Sequence, residues 1–314
     1  MTESEQDASR LRFGVNLGRL GTLDGPGSEP WSGPVEAARW AEEAGFDVVT
    51  TADHFGSTSP FVMLTAAAVV TTRVRLRTYV LDYGFWNAGL LARDVATLDV
   101  LSGGRVEIGL GAGHKPLEHE AVGAPFPPFR ERVAGMAAMA RRLRRHLDDP
   151  EFRPTPVQRP VPLLVGAMSV AALEVAAVVG DTVALAGAVQ LTGAPAGTLT
   201  LVSPDTVDER VGLVRERRAA EGLPPAVFDA LLQQVVLGSG PGDVAAAWEE
   251  ESQGAIKAAD IVDSPFFLAA PTAQEAADEL LRRRDRWGIT SWCTHAPSGP
   301  ALAEVLRAVR GLEG

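Results

Sequence analysis

Asp53 and His54 stand side by side, directly after the apolar run Phe46 to Thr51. A histidine held beside a carboxylate can be tuned to exchange protons near neutral pH, which makes the pair a candidate acid–base site; the competing reading is a hydrogen-bonded pair that fastens a loop. His114, Glu118, His119 and Glu120 form the densest group of metal-ligating residue types. Pro116 lies among them and is expected to interrupt any helix that would align them, so the group reads as a solvated loop and no metal site is assigned. Gly109-Leu-Gly111-Ala-Gly113 begins like a dinucleotide fingerprint, but His114 holds the place of the last glycine of GxGxxG and Pro116 follows, so that reading fails. Such glycines either let the backbone approach a planar ring or phosphate, or form a tight turn, and spacing alone leaves both open.

Three further features carry weaker signals. In Val165-Gly166-Ala167-Met168-Ser169 a strand runs into a helix, so the helix amides and the Ser169 hydroxyl could hold a phosphate, or Ser169 could be an ordinary N-cap. Cys293 with His295 nearby formally permits a thiol nucleophile, although a buried, inert cysteine is the simpler reading. Trp31, Tyr79, Tyr83, Phe85 and Trp86 either line an aromatic pocket or fill core space, and the cluster from Tyr79 to Trp86 is the more suggestive because it spans a strand end and the loop after it.

These residues need elements to position them. Apolar strand-like runs alternate with helix-like runs along the chain, the pattern of a parallel α/β fold. Strands are expected at Leu11 to Leu17, Phe46 to Thr51, Val74 to Leu81, Arg105 to Leu110, Val161 to Gly166, Asp181 to Leu185, Phe228 to Leu237 and Ile289 to Thr294. Helical spacing falls at Val35 to Ala44, Phe61 to Thr72, Leu90 to Leu101, Arg130 to Leu147, Val170 to Val179, Thr206 to Glu221, Val244 to Ala259, Ala273 to Trp287 and Ala301 to Gly311. A proline-rich loop is expected through Pro128, and another loop from Gly187 to Gly197. Eight strands, each with helical sequence after it, favour a closed (β/α)₈ TIM barrel over an open doubly wound sheet. Reactive groups of such barrels sit at the C-terminal ends of the strands, where Asp53 and His54 fall.

Composition narrows the partners. The chain has 314 residues and reads as one domain, 1–314, with 1–10 flexible. Its 29 Lys+Arg against 40 Asp+Glu, net charge -11, argue against general affinity for nucleic acid or an anionic membrane, leaving a small-molecule partner. A single cysteine excludes an internal disulfide and a CxxC metal site and suits a reducing compartment. With an acidic N-terminus lacking a secretory pattern and no long apolar stretch, a cytoplasmic location is expected.

Several segments together resemble the bacterial luciferase-like monooxygenase family, in particular its deazaflavin (F420)-dependent oxidoreductases from actinobacteria. They are Ala41 to Asp47 leading to Ala52-Asp53-His54-Phe55, Thr71 to Leu76, and above all Leu91 to Gly113, with shorter likenesses at Pro160 to Gly166 and Arg284 to Ile289. The resemblance implies a luciferase-like barrel whose C-terminal mouth holds the ring of coenzyme F420, or alternatively FMN. It implies a bulge in the third strand with a non-prolyl cis bond between Tyr79 and Val80, a ring-facing backbone at Ala112 and Gly113, and a phosphate loop at Ala167, Met168 and Ser169. It also implies that His54 donates or accepts a proton, with Asp53 setting its tautomer and charge. Two departures stand out: Met168 where relatives are richer in glycine, expected to reshape the phosphate loop, and Asn87-Ala88 where many have a residue followed by proline. The activity implied is hydride transfer between F420 and a small organic substrate, with an FMN monooxygenase or a non-catalytic binding member as alternatives and a homodimer as a possible assembly.

Overall fold

The computed structural model describes residues 10–17, 33–55, 57–190, 199–251 and 257–313. Trp31, residues 1–9 and the part of the Gly187 to Gly197 loop from 191 onward lie outside the described residues. Strands β1 (Arg12–Asn16), β2 (Val48–Thr51), β3 (Arg75–Thr78) with its short continuation β4 (Leu81–Asp82), β5 (Val106–Gly111), β6 (Leu163–Ala167) and β7 (Thr182–Leu185) come first. The hairpin β8 (Ala188–Gln190) and β9 (Leu199–Leu201), then β10 (Val227–Leu232), β11 (Gln234–Leu237), β12 (Phe267–Ala270) and β13 (Ile289–His295) follow. Parallel pairing runs β3-β2-β1-β13-β10-β7-β6-β5, and β5 returns to β3, so eight strand positions close into a (β/α)₈ barrel.

Alternation along each strand decides what lies inside the ring. Outward residues such as Val49, Leu76, Ile108, Val165 and Val183 join the main core beneath the helices. Inward residues include Tyr79, Leu164, Ala184 and Cys293, which form a separate apolar layer within the barrel. Both faces of the sheet are therefore covered, as a parallel sheet requires.

Local sequence explains how the helices are set. Asn87 caps the helix Ala88–Ser102 by accepting from the amides of Gly89 and Leu90, and Gly103 ends it at φ 69. The helix Val170–Val179 is capped by Ser169, whose hydroxyl accepts from the Ala172 amide at 3.4 Å.

Three expectations need correction. Phe228 to Leu237 is two strands: the chain breaks at Gln233, and β11 leaves the barrel to pair with β12. The polar pair Gln233-Gln234 marks the break, and the core-facing positions shift there from Phe228, Ala230 and Leu232 to Val235 and Leu237. Part of the expected Gly187 to Gly197 loop is β8, paired antiparallel with β9. Pro116 does not interrupt a helix but starts one, Pro116–Ala121, at the first-turn position where proline costs no hydrogen bond. Among the described residues no helix is long and apolar enough to cross a membrane.

Candidate active site

The third strand position is broken by a bulge, and its Tyr79–Val80 peptide is cis. Glycines of the neighbouring strands seat this bulge. A Cβ on Gly109 would collide with the Thr78 carbonyl, one on Gly111 would lie 2.6 Å from Val80 Cγ2, and one on Gly166 would lie 3.2 Å from Val80 Cγ1. Gly113, at φ +73, leaves room that the Asp82 carboxylate fills. The glycine run is thus neither a nucleotide loop nor a simple rim turn: it makes space for the bulge and for Asp82.

His54 and Asp53 do not bond to each other. His54 Nδ1 lies 2.9 Å from Glu118 Oε2, whereas Asp53 Oδ2 accepts from Trp86 Nε1 at 2.8 Å and from the Asp82 amide at 3.3 Å. Glu118, not Asp53, is therefore the hydrogen-bond partner that selects the histidine tautomer. A carboxylate only accepts, which places the proton on Nδ1 and leaves Nε2 to give or take one. Lys115 Nζ sits 3.2 Å from the other Glu118 oxygen. Burial alone would raise the Glu118 carboxyl, but the His54 bond and charge and the Lys115 ammonium outweigh it and hold the group below its ordinary value. The His114 ring meets His54 edge-on, centroids 5.2 Å apart, and burial, with His54 and Lys115 adding to it, lowers the His114 pKa. Asp53 is pushed up by burial despite the Trp86 and Asp82 bonds.

The helix begun by Pro116 also delivers His119, which is 1% exposed and no part of a solvated loop. Its Nδ1 donates to the Pro125 carbonyl at 2.8 Å and its Nε2 lies 2.8 Å from Asp82 Oδ2. Asp82 also accepts from the Gly84 amide at 2.9 Å. This pair ties the loop after the bulge to the loop after β5, and so fixes both walls beside His54. Sequence reading missed the roles of Glu118 and His119; Pro116 as a helix start was the signal that could have found them. Tyr83 and Trp86 pack against the main core, while Phe55, which is exposed, meets Phe85 edge-on at 5.7 Å. The aromatic cluster therefore fills core at one end and forms rim at the other.

The remaining expected residues divide by exposure. Val80, Ala112, Gly113 and Ser169 are half-buried. Tyr79 is turned into the barrel, where its hydroxyl donates to Asp229 at 2.6 Å, and burial together with the Asp229 charge drives that hydroxyl well above its ordinary pKa. Ala167 and Met168 are buried in the main core, so only the backbones of Tyr79, Ala167 and Met168 are left for a ligand. The Met168 side chain is thus packed in the core and does not line the loop before the helix Val170–Val179. Cys293 is fully buried near Thr50, and burial and the Asp229 charge push its thiol up to about 12, which rules out a thiolate nucleophile.

An apolar seat at Val80, accessible backbone at Ala112 and Gly113, and a rim histidine with one nitrogen held fit a flat redox ring at the C-terminal mouth. Fold and site together define a (β/α)₈ barrel with a histidine–carboxylate pair at the C-terminal ends of its strands. The chain belongs to the luciferase-like monooxygenase family, whose profile matches residues 12–298. It is 38% identical over 109 residues to the F420-dependent glucose-6-phosphate dehydrogenase of Amycolatopsis mediterranei, covering 32% of this chain and 33% of that one. It is 30% identical over 140 residues to the 4-hydroxyprotoasukamycin monooxygenase of Streptomyces nodosus subsp. asukaensis, covering 43% and 38%. The matches thus span well under half the length of these curated relatives. An F420-dependent secondary alcohol dehydrogenase, solved with an F420–acetone adduct, superposes at a TM-score of 0.73 with 18% identity, covering 96% of this chain and 99% of that one, a likeness of fold. The named relatives are oxidoreductases.

Proposed function

We propose that this protein is an oxidoreductase that transfers a hydride between coenzyme F420 and a small organic substrate, with His54 exchanging the accompanying proton. The observation that carries the reading is the His54 Nδ1–Glu118 bond of 2.9 Å at the strand end beside the Val80 bulge. When bound, a deazaflavin supplies a hydride carrier whose ring carbon disfavours oxygen chemistry. Val80, Ala112 and Gly113, with the backbone of Tyr79, would take the ring; Ser169 and the backbone of Ala167 and Met168 would take the phosphate. Glu118 orients His54 by holding its Nδ1, so that Nε2 serves as general acid or base. Asp53 acts at one remove, by pinning Trp86 and the amide of Asp82. His119 and Asp82 hold the two loops in place, which keeps the reacting groups in register.

An FMN monooxygenase is the second reading, supported by the stretch shared with the monooxygenase relative. A titration followed by absorbance separates the two. F420 is expected to bind with micromolar affinity and more tightly than FMN; if neither binds at about 100 μM, both enzyme readings fail. His54→Ala is expected to cost about 10² in turnover while cofactor binding persists, whereas a non-catalytic binding member would show no such loss.

The same reading takes the chain as one barrel domain, 1–314, working in the cytoplasm, and the Amycolatopsis and Streptomyces relatives support an actinobacterial source. Exposed Val62 and Val69 lie seven residues apart on the helix Pro60–Val70, and exposed Leu90 and Leu101 lie on the adjoining helix. Such an uncovered apolar face supports a homodimer, which light scattering of the purified protein checks.

A further inference from the structure

A cavity lies at the opposite end of the barrel from His54. It has a volume of about 680 Å³, and its wall is built from the N-terminal ends of β1, β3, β5, β6 and β7 and the segments leading into them. Arg10, Arg12, Arg73 and Arg75 line it, together with Glu42, Asp47 and Glu107. Four arginines meet here in a chain whose net charge is -11.

The carboxylates of this cavity are already supplied with donors. Glu42 accepts from the amides of Thr72, Arg73 and Val74 and from the Thr72 hydroxyl. Asp47 accepts from the Phe13 amide at 2.8 Å and from Arg310 at 2.9 Å. Glu107 receives Arg12, Arg75 and Arg77. The arginines are not matched in the same way. Arg75 is matched, its Nε bonding to Glu107 and its Nη2 to the Val106 carbonyl and Gln158, but among the described residues Arg12 commits one nitrogen to Glu107, Arg73 commits one to the Glu42 carbonyl at 3.2 Å, and Arg10 has a 3.9 Å pairing with Asp47. Arginines that only brace this fold look different: Arg105 bonds through Nε, Nη1 and Nη2 to Ser102, Thr71, Val74 and Ala68. Guanidinium N–H groups are thus in surplus around a cavity whose acceptors are taken, and a guanidinium has no acceptor of its own.

We propose that this basal cavity is an anion-binding site for a small phosphate-bearing molecule. The uncommitted donors come from Arg12 on β1 and from Arg10 and Arg73 in the segments leading into β1 and β3, several directions that suit a tetrahedral phosphate better than a planar carboxylate, which one arginine fork satisfies. Phe46, Pro162 and Leu164 give the cavity an apolar wall for the organic part. The site is separate from the phosphate loop at Ser169 and does not depend on the F420 reading.

Calorimetric titration of the whole protein with inorganic phosphate and with pyrophosphate tests this, with citrate as the carboxylate comparison. Saturable binding is expected, tighter for the phosphates than for citrate and weakening as salt rises. Arg10→Gln and Arg73→Gln should each weaken it about tenfold while leaving the melting temperature nearly unchanged, and Ser169→Ala should leave it intact. Three results would overturn the proposal: no saturable binding up to about 10 mM phosphate, binding unaltered in both arginine variants, or binding lost in Ser169→Ala and kept in the arginine variants. The last would place the phosphate at the catalytic mouth. Citrate binding as tightly as pyrophosphate would refute the assignment to phosphate.

Discussion

Replacing Glu118 separates two accounts of how His54 works. A hydrogen bond to an ionised partner contributes about 1.5–3 kcal/mol. The His54 and Glu118 side chains are 32% and 11% exposed, so solvent screening favours the lower end. About 1.4 kcal/mol is a factor of ten, so Glu118 should hold the ring in its Nδ1–H form by roughly ten to one over what an unpartnered ring adopts. Nitrogen-15 NMR of the histidine ring measures this without a substrate: the wild type should show a protonated Nδ1, and Glu118→Ala should lose that preference. In turnover, Glu118→Ala should cost about tenfold and His54→Ala about 10². The double variant should be no slower than His54→Ala alone, because Glu118 acts through His54. Asp53→Asn keeps an acceptor for Trp86 and should cost less than about threefold, a loss confined to loop setting. The reasoning is refuted if Asp53→Asn shifts the tautomer and Glu118→Ala does not, or if the Glu118 and His54 losses multiply.

Three other outcomes follow from the interior. Glu107 is held far below the ordinary carboxylate value, its burial being outweighed by Arg77, Arg12 and Arg75. A depressed acid contributes its stability above its unfolded pKa of about 4.3 and loses it as pH falls below that, so wild-type urea midpoints should drop on acidification. Glu107→Gln takes one of two carboxylates from buried Arg77, which keeps Asp229, and should cost about 1–3 kcal/mol at neutral pH with a shallower acid slope; equal slopes in the two proteins would count against the pair. Gly111→Ala should cost about 2 kcal/mol or more in thermal melts because its Cβ meets Val80, whereas Gly103→Ala, with open space around it at φ +69, should cost about 1. Cys293 should be unreactive toward a thiol reagent in the native state and react on unfolding, since it is buried and its thiol is pushed up to about 12.

Period-two and helical patterns were enough to place all eight barrel strand positions, because the side chains of each strand must alternate between the barrel interior and the helix layer whatever the strand pairs with. Position at a strand end singled out His54, and the segments Ala52 to Phe55 and Leu91 to Gly113 carried the family. Chain order could not supply His54's partner, because residues 53 and 54 diverge while residue 118 returns 64 positions later. The separate course of β11 was not legible either: Gln233-Gln234 shifts the apolar alternation by one residue, but the pairing with β12 that takes β11 out of the ring is set by a distant segment. Asp53 and His54 were thus legible as residues at a strand end, but their hydrogen-bond partners were decided by which side chains the closed barrel brings within reach. The use of the glycine run was decided in the same way, since a missing Cβ acquires a purpose only when Val80 and Asp82 arrive from another strand to occupy its place.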